Sequence, residues 1–159
     1  MLGEQARTPE LLSASGRVKI TTGAGSTRGA LLNRGAAAAT GEVLLFLWPD
    51  CRLPPGALAA ITQNLTLLPA TIGGNFHVQF DEVTWFTRFV AYFLKQLRYR
   101  GHYYGNSAIF VRRSVFDEIG GFEAVEILED YVFTRRLERY GPTLYLPDTV
   151  IAASHKFID

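Results

Sequence analysis

The sequence sets a lone carboxylate, Asp50, at the end of an apolar run within TGEVLLFLWPDCRLPP, residues 40–55. Ligands of open α/β sheets gather beyond such strand ends, so Asp50 marks a candidate site. A structural role competes with that one, because a loop carboxylate can cap the helix that opens after Pro54-Pro55. The second chemical feature is the adjacent acid pair Glu129 and Asp130 in ILEDYVFTRRLERYG, residues 127–141. Acids in a first helical turn are favoured by the helix dipole and often simply face water. Gly23-Ala24-Gly25 looks like the start of a dinucleotide fingerprint. Arg28 stands where the third glycine belongs and no ribose-binding acid follows at the required distance, which argues against a Rossmann oxidoreductase.

Apolar runs alternate with helical patterns along the chain, predicting α/β layering without internal repeats or low-complexity linkers. Residues 17–22 are a strand candidate and 23–26 a turn, after which Ser26 caps a helix ending at Gly41. Residues 43–48 are uniformly apolar, too short to cross a bilayer, and read as a central strand covered on both faces. Pro49 fixes φ and removes a donor where that strand should stop, and a helix follows over 56–65. Phe76, Val78 and Phe80 alternate with Asn75, His77, Gln79 and Asp81, predicting a half-exposed strand whose polar face could line a cleft.

Residues 84–99 predict an amphipathic helix with Trp85, Phe86, Phe89, Val90, Phe93 and Leu97 inward and Arg88, Lys95 and Arg98 outward. An aromatic face rimmed by basic residues can also lie on an anionic membrane surface, with ordinary core packing as the alternative. Residues 108–112 read as a strand, and 114–119 as a short helix capped by Ser114 and stopped by Gly120-Gly121. The last helix opens at Glu129-Asp130, carries Leu128, Val132, Phe133, Leu137 and Tyr140 as its apolar positions and ends at Gly141-Pro142, before a strand over 149–153.

With 159 residues, 48% of them hydrophobic, the chain can build one domain with a real core. Residues 1–16 carry no clear pattern, and 17–159 read as that single domain. Sixteen basic against fifteen acidic residues give a net charge of +1, so no global basic field marks a nucleic-acid binder, while a local anion site stays open. Cys51 is the only cysteine, which excludes an internal disulfide framework, fits a reducing compartment and is a poor candidate metal ligand. The first residues contain acids and lack a long apolar stretch, predicting no secretory signal and a cytoplasmic location, with the inner membrane surface as the variant of it.

Four segments together resemble family 2 glycosyltransferases of the GT-A fold, most closely the arsenosugar-biosynthesis and selenodomain-associated subgroup. STRGALLNRGAAAATG (26–41) is similar to the nucleotide-side helix, LLFLWPDCRLPP (44–55) to the strand with the DxD-type metal motif, YGNSAIFVRRSVFDEIGGF (104–122) to the acceptor-side segment, and ILEDYVFTRRLERYG to the helix with the catalytic Glu-Asp pair. The resemblance spans roughly residues 17–156 and implies an α/β/α sandwich with a mixed sheet, lacking the family's usual first β-α unit. It implies a metal-assisted, inverting transfer of a sugar from a nucleotide-sugar donor to an acceptor hydroxyl. Asp130 holds the place of the general base, with Glu129 orienting it or raising its pKa. Asp50 holds that of the ligand to Mg2+ or Mn2+, Arg28, Asn33 and Lys156 those of nucleotide-sugar contacts, and Tyr104, Gly105 and Asn106 the acceptor side. His155 falls near the diphosphate and could join the metal. Arg28 and Asn33 as solvent-facing helix residues and His155 as a surface histidine are the alternatives.

Three departures from the family pattern bear on activity. No counterpart of the first strand and helix precedes Arg17, Trp48 replaces the first acid or histidine of the metal motif, and Asn106 replaces an aspartate and cannot act as a base. A shortened, non-catalytic module that binds a partner or itself through an exposed sheet edge is therefore the alternative function.

Overall fold

The computed structural model describes residues 27–154. The predicted strand over 17–22, the turn at 23–26, His155 and Lys156 lie outside the described residues. Helix α1 spans Arg28–Ala38, and Thr27 rather than Ser26 is its N-cap, the Thr27 side chain accepting from the Ala30 N–H at 3.3 Å. Strand β1 (Val43–Phe46) is shorter than the apolar run that predicts it, because Leu47 already turns outward before Pro49. After the short strand β2 (Cys51–Arg52), helix α2 (Ala57–Leu67) begins at Gly56, whose φ of 78° suits a residue without Cβ. Gly56, without a side chain, holds the N-cap position of that helix.

Strand β3 (Gly73–Phe80) leads to helix α3 (Trp85–Arg98), which a capping box between Thr84 and Thr87 starts. A single 3-10 turn, Gly105–Ser107, precedes strand β4 (Ile109–Arg112). Helix α4 (Arg113–Glu118) follows without a break, with Arg112 in place of Ser114 as the cap residue, and the positive φ of Gly120 and Gly121 ends it. Helix α5 (Glu129–Tyr140) and strand β5 (Thr143–Ala152) complete the order. Pro147 and Asp148 are left out of the β3–β5 ladder by a register shift, which is how a proline sits inside β5.

The five strands form one mixed sheet in the order β1-β4-β3-β5-β2. β4 is antiparallel to both β1 and β3, β3 is parallel to β5, and β2 is antiparallel to β5, so β1, β3 and β5 all point the same way. Among the described residues β1 stands at the end of the sheet, not at its centre. Its residues are nonetheless covered on both sides. Leu44 and Phe46 join Ile109 and Val111 of β4 in a core with α1, α4 and α5, while Val43 and Leu45 join Phe110 and the Ile61 and Leu65 of α2. The first core centres on Phe46, Phe116, Phe122 and Phe133, with Phe122 and Phe133 stacked at 4.4 Å.

Neither α1 nor α2 has a basic residue in its last turn. Cations reach one terminal carbonyl of each from elsewhere in the chain: Arg113 donates to Ala36 and also to Gly41 beyond the end of α1, and Arg112 to Leu65 and also to Thr71 beyond the end of α2. Helix α3 keeps Val90 inward and Arg88 exposed as expected, but turns its aromatic residues and Arg98 the other way. Trp85, Phe86, Phe89 and Phe93 face outward, and Thr87 and Arg98 are buried together with the partly buried Val90 and Leu94. The reason is specific partners for the polar side. Thr87 accepts and donates within the capping box and bonds the Glu82 carbonyl, and Arg98 bonds Asn75 and, at 2.8 Å, Thr143, pairs with Glu138 at 3.4 Å and stacks on Tyr103.

Candidate functional site

Three parallel strands end on the same edge of the sheet, and the antiparallel β4 begins there. A cleft of about 250 Å³ lies beyond that edge, lined by Arg28, Trp48, Asp50, Tyr104, Asn106 and Asp130, with Phe80, Leu128, Ala152 and Ala153 completing the wall. Every one of these four strands contributes at its end or in an adjoining turn: β1 through Trp48 and Asp50, β3 through Phe80, β5 through Ala152 and Ala153, and β4 through the turn before it. The N-termini of α1 and α5 converge on the same place, so Arg28 and Asp130 enter it from two helix starts.

Asp130 is 6% exposed, and both its oxygens accept backbone N–H groups, from Gly105 at 2.7 Å and from Tyr131 at 2.8 Å. Each carboxylate oxygen can accept a second bond, so the residue keeps acceptor capacity toward the cleft. Its neighbour Glu129 is 2% exposed and does not line the cleft. That carboxylate turns to Arg28, 3.2 Å away, and the Arg28 guanidinium lies 3.9 Å above the Trp48 ring. The acid pair is therefore split. One member faces the cleft and the other anchors its cation, and neither is the water-facing acid that helix-dipole preference alone allows.

Trp48 holds the arrangement in place. Its indole rests on Gly105, where a Cβ would lie 1.7 Å from Nε1. Gly105 thus lets the tryptophan approach while its own N–H is held by Asp130. Beneath the cleft the Cys51 thiol sits 3.5 Å from the Asn106 carbonyl oxygen and 3.7 Å from Asp50 Oδ1, and the Ala153 N–H donates to the Asp50 carbonyl at 3.0 Å. Tyr104 stacks on Tyr131, which stacks on His102, extending the cleft into an aromatic shelf. Burial first, then the neighbouring Tyr131 and the Asp130 carboxylate, push the Tyr104 phenol above its ordinary value.

Of the residues singled out in the sequence, Arg28, Asp50, Tyr104, Asn106 and Asp130 come together, and Gly105 supports them. Asn33 does not join them. Its amide clamps the Phe122 backbone, donating to the carbonyl at 2.8 Å and accepting from the N–H at 2.9 Å, and so fastens α1 to the loop before α5. Sequence reasoning missed Trp48 as a wall of the site, having read it only as a lost acid. Leu128 was missed as well. It is the N-cap of α5 at φ 61°, and Ala108, just after the Tyr104 turn, has φ 52°, so both non-glycine residues with positive φ among the described residues lie beside the cleft.

Among the described residues no group of three or more His, Cys, Asp or Glu side chains could hold a metal ion. The oxygens of Asp50 suit a hard cation that takes its remaining ligands from a bound anion. Comparison with protein-family models and with curated proteins finds no match to this chain.

Proposed function

We propose that the chain is a glycosyltransferase with a GT-A-like fold, related to family 2, that moves a sugar from a nucleotide-sugar donor to an acceptor hydroxyl with inversion. The convergence of Arg28, Asp50, Tyr104, Asn106 and Asp130 in one cleft carries this reading, since they come from segments far apart in sequence. Their chemistry divides as the reaction requires. Asp130 takes the acceptor proton, the acceptor oxygen bonds the anomeric carbon, and the bond to the diphosphate breaks with its electron pair leaving on the nucleotide. Arg28, held by Glu129 and Trp48, meets the diphosphate charge. Asp50 is the residue to hold Mg2+ or Mn2+, and such a cation, when bound, offsets charge on the leaving group. Tyr104 and its stacked neighbours offer a flat surface for a sugar ring.

Isothermal titration with UDP- and GDP-sugars, with and without Mn2+, tests the proposal. Metal-dependent binding that Asp50→Ala weakens is the expected outcome. Absence of binding to every donor would remove the transferase reading. A second reading, a non-catalytic module of the same descent, is favoured by the two backbone N–H bonds that already occupy Asp130. Asp130→Asn separates the two. In the transferase it abolishes turnover and leaves donor binding intact; in the module the only consequence is lower stability, because the amide turns an N–H against a backbone N–H and costs about 1–3 kcal/mol.

A further inference from the structure

The outward side of α3 forms an aromatic stripe that the cleft does not use. Trp85, Phe89, Tyr92 and Phe93 are 81%, 59%, 62% and 52% exposed. Their spacing of three, four and seven residues sets them on one face of the helix. Contiguous apolar surface of this kind marks an interaction site. The charge around it selects the partner. α3 contains no acidic residue, and Arg88, Lys95 and the following Arg100 flank the stripe. The acids nearest in sequence, Asp81 and Glu82, precede the helix, and Asp81 is engaged by the Ser154 and Glu82 N–H groups.

A second copy of the chain is a poor occupant, because a two-fold contact would set this cation-bearing face against itself. An anionic lipid surface satisfies both features at once. Trp and Tyr prefer the headgroup level, phenylalanine the acyl boundary just below it, and Lys and Arg the lipid phosphates. Beside the stripe, a cavity of about 300 Å³ between α3 and β3 is lined by His77, Gln79, Arg88, Tyr92 and Lys95, a donor-rich slot of headgroup size. With 14 residues α3 is about 21 Å long, and no helix among the described residues is long and apolar enough to cross a membrane. The geometry is that of a helix lying in the surface plane. We propose that α3 docks the protein on an anionic phospholipid bilayer, with Trp85, Phe89 and Phe93 entering the interface and Arg88 and Lys95 meeting phosphates.

The test is co-sedimentation of the full chain with phosphatidylcholine vesicles with and without phosphatidylglycerol. Binding should require the anionic lipid, fall as salt is raised, and weaken at least ~tenfold in Phe89→Ser/Phe93→Ser, whose melting midpoint should stay unchanged because both rings are exposed. Trp85 emission should shift to the blue on binding, and Trp85→Phe should remove most of that shift. Equal pelleting of the double variant overturns the proposal. So does the absence of binding to anionic vesicles, including the case in which light scattering shows the stripe covered by a second copy. Neither result depends on sugar-donor binding, so this inference stands or falls apart from the transferase reading.

Discussion

Gly105 has no room for a side chain, since its missing Cβ would meet the Trp48 indole at 1.7 Å and the adjoining ring atoms within 2.7 Å. Gly105→Ala should displace the indole from Arg28 and from the turn. The expected cost is about 1–3 kcal/mol of stability, as for other overpacked sites, read as a lower urea midpoint at unchanged slope. His77 gives a second residue-scale prediction. Burial, with the charge of Lys95 second, holds its imidazole below the ordinary value of 6.5, and its Nδ1 lies 2.6 Å from the Tyr145 hydroxyl. The unfolded chain binds that proton more readily, so stability rises with pH in this range. The loss begins as pH falls through about 6.5 and is complete below the folded value. Melting at pH 5.5 should therefore lie below melting at pH 7.5, and His77→Gln should narrow the gap; an unchanged gap would assign it to other groups.

At the scale of elements, the start of α5 stores strain beside the cleft. Leu128 adopts φ 61° and ψ 28°, conformational space that leucine rarely occupies, and its side chain is 53% exposed. Asparagine tolerates that geometry and loses little contact there. Leu128→Asn should raise stability by about 0.5–1 kcal/mol, seen as a melting midpoint a few degrees higher. A lower midpoint would mean that the leucine side chain contributes more to the cleft wall than the strain costs. The boundaries of α5 were legible in the sequence because its signals are local: acids at the first turn, apolar spacing, and Gly141-Pro142 at the stop. Likewise the alternation in β3 correctly set Phe76, Val78 and Phe80 inward, but its other face is not the exposed one expected, since Asn75 is buried where Arg98 donates to it. The short β1 and the misplaced caps at Ser26 and Ser114 show the limit, since neighbouring residues compete for an end and packing chooses between them.

Across the whole molecule, Arg98 ties α3 to β3, α5 and β5 through Asn75, Glu138 and Thr143, with its guanidinium 4.4 Å from the Tyr103 ring. Removing it leaves polar partners and one carboxylate without their cation in a mostly buried place. Arg98→Ala should cost about 3–5 kcal/mol, and Arg98→Lys should recover only part of that, because a point charge cannot replace the planar fork. An Arg98→Ala chain as stable as the parent by urea unfolding would show the network to be dispensable.

The sequence alone determined the alternation of strands and helices and the two periodicities, because these depend on neighbours a few positions away. The family resemblance, rather than any local pattern, singled out Arg28, Tyr104, Asn106 and Asp130 beside Asp50, and it did not give their relation to one another. Tertiary structure decided that Glu129 serves Arg28, 101 residues away, that Asn33 serves Phe122, 89 residues away, and that Trp48 seats on Gly105. It also decided which side of α3 is buried. Helical periodicity separates two faces, yet the choice between them rested on hydrogen-bond partners for Thr87 and Arg98, most of which other elements supply, and no local pattern records such partners.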